Sequence, residues 1–195
     1  VLTAAHNIYD SKVSKAKYSR IQFIPGINGQ IVPFGTYKAI DSYVPEEFIQ
    51  TGEKEDYALL VLNGRVGTHT GYFDLDIAEK ERLKGKELNI IGYPAYVRTK
   101  DKSYEFLSKR GDYQLWGMEG KGWYLDDNFI HYEDILTTEG QGGSGVFYHE
   151  KSTNKYYVVG VHIVGREGVD SYNSATRIMK ERFLQIEKWI KSSRL

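Results

Sequence analysis

Short apolar and β-branched runs recur along the chain, at Ile21–Ile24, Ile31–Phe34, Tyr37–Tyr43, Tyr57–Leu62, Leu88–Tyr93, Gly145–Tyr148, Tyr156–Val164 and Ala175–Ile178. Runs of this length bounded by turn residues predict strands. Pro25-Gly26, Asn28-Gly29 and Asn63-Gly64 punctuate them. Asn28-Gly29 is a hairpin signal, because both residues tolerate positive φ. One helix is predicted over Lys180–Ser192, where Phe183, Ile186, Trp189 and Ile190 recur at three- and four-residue steps and form one apolar stripe. A second short helix is expected over Ile77–Leu83, within the polar stretch 74–86 that could join two halves. Many short strands at close spacing point to a sandwich or barrels rather than to alternating β-α units. The pattern therefore reads as all-β with a terminal α-helix.

Composition narrows the possible partners. The 195 residues allow one domain or two small ones, with a core that needs neither metal nor disulfides. Lys and Arg number 26 against 26 Asp and Glu, so no broad basic surface is available for nucleic acid. No run approaches the roughly eighteen apolar residues of a membrane helix, so no membrane partner is expected. The absence of Cys removes disulfides, thiolate catalysis and Cys-based zinc sites together, and neither metal nor cofactor is expected. Sixteen Tyr and three Trp are the ordinary filling of half-buried strand faces in a β-rich chain. The opening Val1-Leu2-Thr3-Ala4-Ala5 reads as the inside of a strand rather than as a leader, so further material is expected upstream.

Three places carry chemistry. His6 stands where the first strand should end; a lone histidine there is ordinarily a packed edge residue. Asp56 stands immediately before the apolar run Tyr57–Leu62, where a partly desolvated carboxylate can orient an imidazole, although a single Asp is commonly a turn residue. The loop from Thr137 to Ser144 contains Gly140, Gly142 and Gly143, with Gly145 following. Such a backbone can either be a flexible turn or aim successive N–H groups at one point, as an oxyanion requires. Gly117–Gly122 superficially suggests a phosphate loop but lacks the strand-loop-helix context.

The order His, Asp, Gly-rich loop on an all-β background resembles that of the chymotrypsin-like serine proteases. Thr3-Ala4-Ala5-His6 is similar to the histidine motif of that family, and Asp56-Tyr57-Ala58-Leu59-Leu60 to its aspartate motif. Phe23-Ile24-Pro25-Gly26, Pro33-Phe34-Gly35-Thr36-Tyr37, Gly92-Tyr93-Pro94 and Gly160-Val161-His162 resemble segments of the cysteine-free bacterial glutamyl endopeptidases. The resemblance implies two antiparallel six-stranded β-barrels with a C-terminal α-helix and the site at their junction. The first barrel would span 1–75 and the second, with the helix, 76–195. The strands that precede the histidine motif in that family are missing from this chain, so barrel one would be incomplete and a separate segment could complete it. Family likeness alone implies a secreted protein acting on peptide or protein substrates.

The nucleophile motif departs from the family pattern. Taking Ser144 as nucleophile starts the following strand one residue too soon. Taking position 142 matches Gly140-Gln141-Gly142-Gly143-Ser144-Gly145-Val146-Phe147 to the pattern at every place but one, and puts Thr137 five residues upstream, where the family carries a pocket threonine. The second register is preferred, and the expected serine is then Gly142. The resemblance implies an oxyanion hole from the N–H groups of Gly140 and Gly142, with a substrate glutamate received by Thr137 and His162. Against the acidic preference stands Glu139, a second carboxylate near the pocket, which Arg166 could offset. Without a hydroxyl at 142 no acyl-enzyme can form. Two origins remain open: an endopeptidase inactivated by substitution, or a natural pseudoprotease that binds peptides or partners.

Overall fold

The computed structural model describes residues 1–98, 104–105, 113–164 and 173–193. The N-terminal half carries β1 (Leu2–Thr3), β2 (Tyr9–Asp10), β3 (Ala16–Lys17), β4 (Gln22–Phe23), β5 (Tyr37–Tyr43) and β6 (Ala58–Leu62), with α1 (Glu46–Thr51) between the last two. Strands β1, β6, β5 and β4 form one antiparallel sheet in that order, while β2 and β3 pair as a separate hairpin. The sheet is open, with β1 and β4 as its edges. Strand β6 is apolar throughout because both of its faces are covered. Ala58, Leu60 and Leu62 pack with Ile8, Tyr9 and Phe48, whereas Leu59 packs the other way, against Ala4, Val161 and Trp189.

The second half carries α2 (Gly67–Thr70), β7 (Asp74–Leu75), α3 (Lys80–Leu83), β8 (Leu88–Gly92), β9 (Val97–Arg98), β10 (Tyr104–Glu105), β11 (Trp116–Gly120), β12 (Trp123–Leu125), β13 (Phe129–Tyr132), β14 (Gly145–Glu150), β15 (Lys155–Val164) and β16 (Asn173–Arg177). The main sheet runs β11-β8-β14-β15-β16-β13-β12, and its two ends are adjacent in sequence. Thus β11 and β12 are halves of one strand bent over Gly120–Gly122, and the ring of six strands closes. At the bend, Asp134 Oδ2 accepts the N–H groups of Lys121 and Gly122, each at 2.8 Å. A Cβ on Gly120 would run into the Asp134 carboxylate. The glycines of the motif that superficially suggested a phosphate loop therefore let a carboxylate approach the backbone and turn the strand. Leu88, Ile90, Ile130, Tyr132, Val146 and Val159 fill the barrel.

Helix α4 (Lys180–Ser192) ends the described chain and packs across to the first half. Trp189 stacks on Tyr43 at 5.8 Å and meets Tyr57 at 5.6 Å. With Ala4, Val161 and Ile186 they form a core shared by both halves. The expected boundaries of β5 and α4 coincide with those observed. Ile31–Phe34 is not a strand: Ile31 makes only an isolated bridge to Asn28, Ile31 and Phe34 are exposed, and Pro33 cannot donate to a ladder. The hairpin turn falls one residue later than expected, centred on Gly29-Gln30. The helix expected over Ile77–Leu83 shortens to Lys80–Leu83, because Asp76 and Ala78 donate to Val158 and Ile178 beside β15 and β16.

Candidate active site

His6 and Asp56 are brought together from opposite ends of the first half. His6 lies in a 3-10 turn, Ala5–Asn7, seated on the fully buried Ala4 and Ala5. Asp56 sits at the mouth of β6 and holds His6 at two points: Oδ1 accepts the His6 backbone N–H at 3.0 Å, and Oδ2 lies 2.7 Å from Nδ1. An ionised carboxylate only accepts, so Nδ1 carries a ring proton, and Nε2 faces away from Asp56. Asp56 is nearly buried, and its own carbonyl accepts the Thr176 hydroxyl at 3.0 Å.

The glycine loop closes over that nitrogen. A Cβ built on Gly142 falls 2.8 Å from His6 Nε2. Asn7 pins this part of the loop, its Nδ2 donating to the Gly142 carbonyl at 2.9 Å and to Thr3 Oγ1 at 3.2 Å. Ser144 points elsewhere: its side chain lies against Gly92, on β8. Gly140 and Gly143 have φ of 93° and 91°, conformations that disfavour a Cβ. The N–H groups of Gln141, Gly143 and Ser144 are used within the fold, by Thr138, His162 and Gln141 carbonyls respectively. Those of Gly140 and Gly142 donate to no acceptor among the described residues. Gln141 is buried and braces the loop, its Oε1 accepting the Thr138 N–H at 2.8 Å.

The expected pocket residues are placed less simply. His162, on β15, is 1% exposed and hydrogen-bonds through Nδ1 to the Tyr132 hydroxyl. Burial pushes its imidazole down to about 4, opposed in part by a hydrogen bond to the Ser174 backbone and aided by the nearby His6. The ring is thus neutral near pH 7. Its main chain joins it to the loop, donating to the Ser144 carbonyl at 2.8 Å and accepting from Gly143 at 2.7 Å. The Thr137 hydroxyl donates to Asn173 Oδ1 at 3.0 Å. Glu139 is exposed, and Arg166 lies outside the described residues. Asn7, Gln141 and Tyr132 were not singled out from sequence. Phe129-Ile130-His131-Tyr132 does not alternate in sequence, and the inward placing of Tyr132 is seen only in the fold.

Comparison with known proteins agrees with this architecture. No family model matches the chain. The chain is 30% identical over 199 residues to a glutamyl endopeptidase of Bacillus licheniformis, covering 99% of this chain and 57% of the relative. It is 26% identical over 197 residues to an extracellular metalloprotease of Bacillus subtilis, covering 97% of this chain and 54% of that protein. The chain therefore spans about half the length of the curated relatives it matches. A solved Glu endopeptidase in complex with MPD superposes with a TM-score of 0.76 at 25% identity, over 96% of this chain and 79% of its own. This is the fold of the chymotrypsin-like serine proteases. Within that class, the chain is close to the glutamyl endopeptidases.

Proposed function

We propose that the chain is the peptide-binding and catalytic unit of a secreted serine endopeptidase of glutamyl specificity, held inactive by glycine at the nucleophile position. The observation that carries this reading is the 2.8 Å between His6 Nε2 and the place of a Cβ on Gly142, with Asp56 fixing the opposite ring nitrogen. Once the imidazole yields by a few tenths of an ångström, a serine there would bring its hydroxyl to the ring's Nε2. His6 would take the proton, the oxygen would attack the scissile carbonyl, and the N–H groups of Gly140 and Gly142 would receive the oxyanion. As the chain stands, the cleft binds peptides and the first step is missing.

A second reading is favoured by the same distance. At 2.8 Å a real Cβ would force the imidazole to move, so the site fits glycine better than serine. That suits a pseudoprotease whose cleft serves binding alone. For the acidic preference, a neutral His162 would act as a hydrogen-bond partner rather than a cation, and a glutamate reaching it would draw a proton onto the ring. Thr137 would supply a hydroxyl. The open edges β1 and β4 suit a further segment that completes barrel one.

The test is a peptide library presented to the Gly142→Ser protein. Cleavage after Glu ahead of Lys or Leu supports the proposal. Cleavage with no acidic preference removes the specificity assignment, and no cleavage at all favours the pseudoprotease.

A further inference from the structure

Arg182, in the first turn of α4, is a buried cation that the proposed chemistry does not use. It is 4% exposed, yet each of its five N–H donors has an acceptor. Nε lies 2.9 Å and 3.1 Å from the two oxygens of Glu55, and Nη2 also bonds Glu55. Nη1 donates at 2.8 Å to the carbonyls of Asn128 and of Arg177, and Nη2 donates at 3.0 Å to Asn128 Oδ1. One guanidinium therefore ties together the turn before β13, the junction of β16 with α4, and the residue that precedes Asp56.

Glu55 is itself unusual. Its φ is 57°, in the left-handed region that a residue with a Cβ enters only when its surroundings insist. Its carbonyl accepts the Tyr57 N–H at 2.8 Å, so the chain folds back tightly over Asp56. We infer that Arg182 is a positioning residue: by gripping the Glu55 carboxylate it holds the strained turn that presents Asp56 to His6. A planar fork suits this better than a point charge, because two parallel bonds fix the orientation of Glu55 as well as its distance. Thr176, bonded to the Asp56 carbonyl, holds the other side of the same peptide.

This inference rests on the proposed role of the His6–Asp56 pair, but its test needs no catalysis. The probe is the His6 Nδ1 proton, followed by NMR in the chain as given and in R182Q, R182K and E55Q, with thermal unfolding recorded for each. A downfield Nδ1 proton with slow solvent exchange is expected in the unaltered chain. Losing the fork should speed that exchange about tenfold or more in R182Q and E55Q, with R182K between them and the unaltered chain. E55Q leaves Arg182 bound to Asn128 and Arg177, so it tests the clamp even if R182Q fails to fold. Unchanged exchange in E55Q, with only the unfolding temperature lowered, would overturn the inference and leave Arg182 a structural residue. Absence of the signal in the unaltered chain would instead overturn the pairing of His6 with Asp56 on which both readings stand.

Discussion

His6 Nε2 stands 2.8 Å from the point where a side chain on Gly142 would begin, while Nδ1 of the same ring is anchored on Asp56. The imidazole therefore bridges a fixed carboxylate and an empty position. A methyl group placed there must displace the ring without offering a hydroxyl. Gly142→Ala is expected to leave peptide hydrolysis at background and to lower stability slightly, and Gly142→Ser to raise hydrolysis by about 10⁵-fold or more. Rates on a peptide substrate, measured side by side, check both. Equal activity in the two variants would contradict the account.

Asp56 fixes the tautomer as well as the place of the ring. In the Gly142→Ser background, Asp56→Asn should turn one hydrogen bond around, put the ring proton on Nε2 and lower kcat by about 10⁴-fold. Substrate binding should change little, because Asp56 lies behind the ring. A loss confined to KM would show that Asp56 serves the cleft and not the imidazole.

The buried His162 gives the fold a pH dependence of defined sign. The unfolded chain takes up a proton near 6.5, whereas the folded ring resists until about 4. Stability from this group is complete above 6.5 and is lost as the pH falls through the window from 6.5 to 4, by about 3 kcal/mol in total and about 2 kcal/mol by pH 5. Urea unfolding at pH 7 and pH 5 should show the loss, and His162→Gln should flatten it. Parallel slopes in the two proteins would exclude His162 as its source.

One carboxylate braces the bend at which the second barrel closes. Backbone N–H groups at the strand bend, that of Gly122 foremost, hold Asp134 below the usual carboxylate range. Asp134→Ala should cost about 1–2 kcal/mol at neutral pH. That difference should shrink in acid, because a depressed carboxylate loses its contribution as the pH falls through its folded value. Unfolding midpoints of the two proteins at pH 7 and pH 3 test this.

What was readable in the sequence follows from where the forces are local. Strand β5 and helix α4 could be delimited because turn residues and a 3.6-residue stripe mark them. His6, Asp56 and the glycine loop were legible as candidates because each lies at the end of an apolar run, where a strand delivers a polar group to a cleft. The hairpin β2-β3 and the two-residue strands β9 and β10 are too short for any periodicity. The bend at Gly120–Gly122 where the barrel closes is braced by Asp134, which lies more than ten residues further along the chain, so those glycines read as a loop. Arg182 falls four and seven residues before Ile186 and Trp189, inside the apolar stripe of its helix, where a single arginine reads as an isolated charge. Only the fold brings Glu55 and Asn128 to it.

The most direct measurement is active-site labelling of the Gly142→Ser protein with a fluorophosphonate, followed by mapping of the modified peptide. The account expects one label, on the substituted position 142, abolished by His6→Gln and absent from the chain as given. Labelling at Ser144, or a label on position 142 that survives the loss of His6, would contradict it.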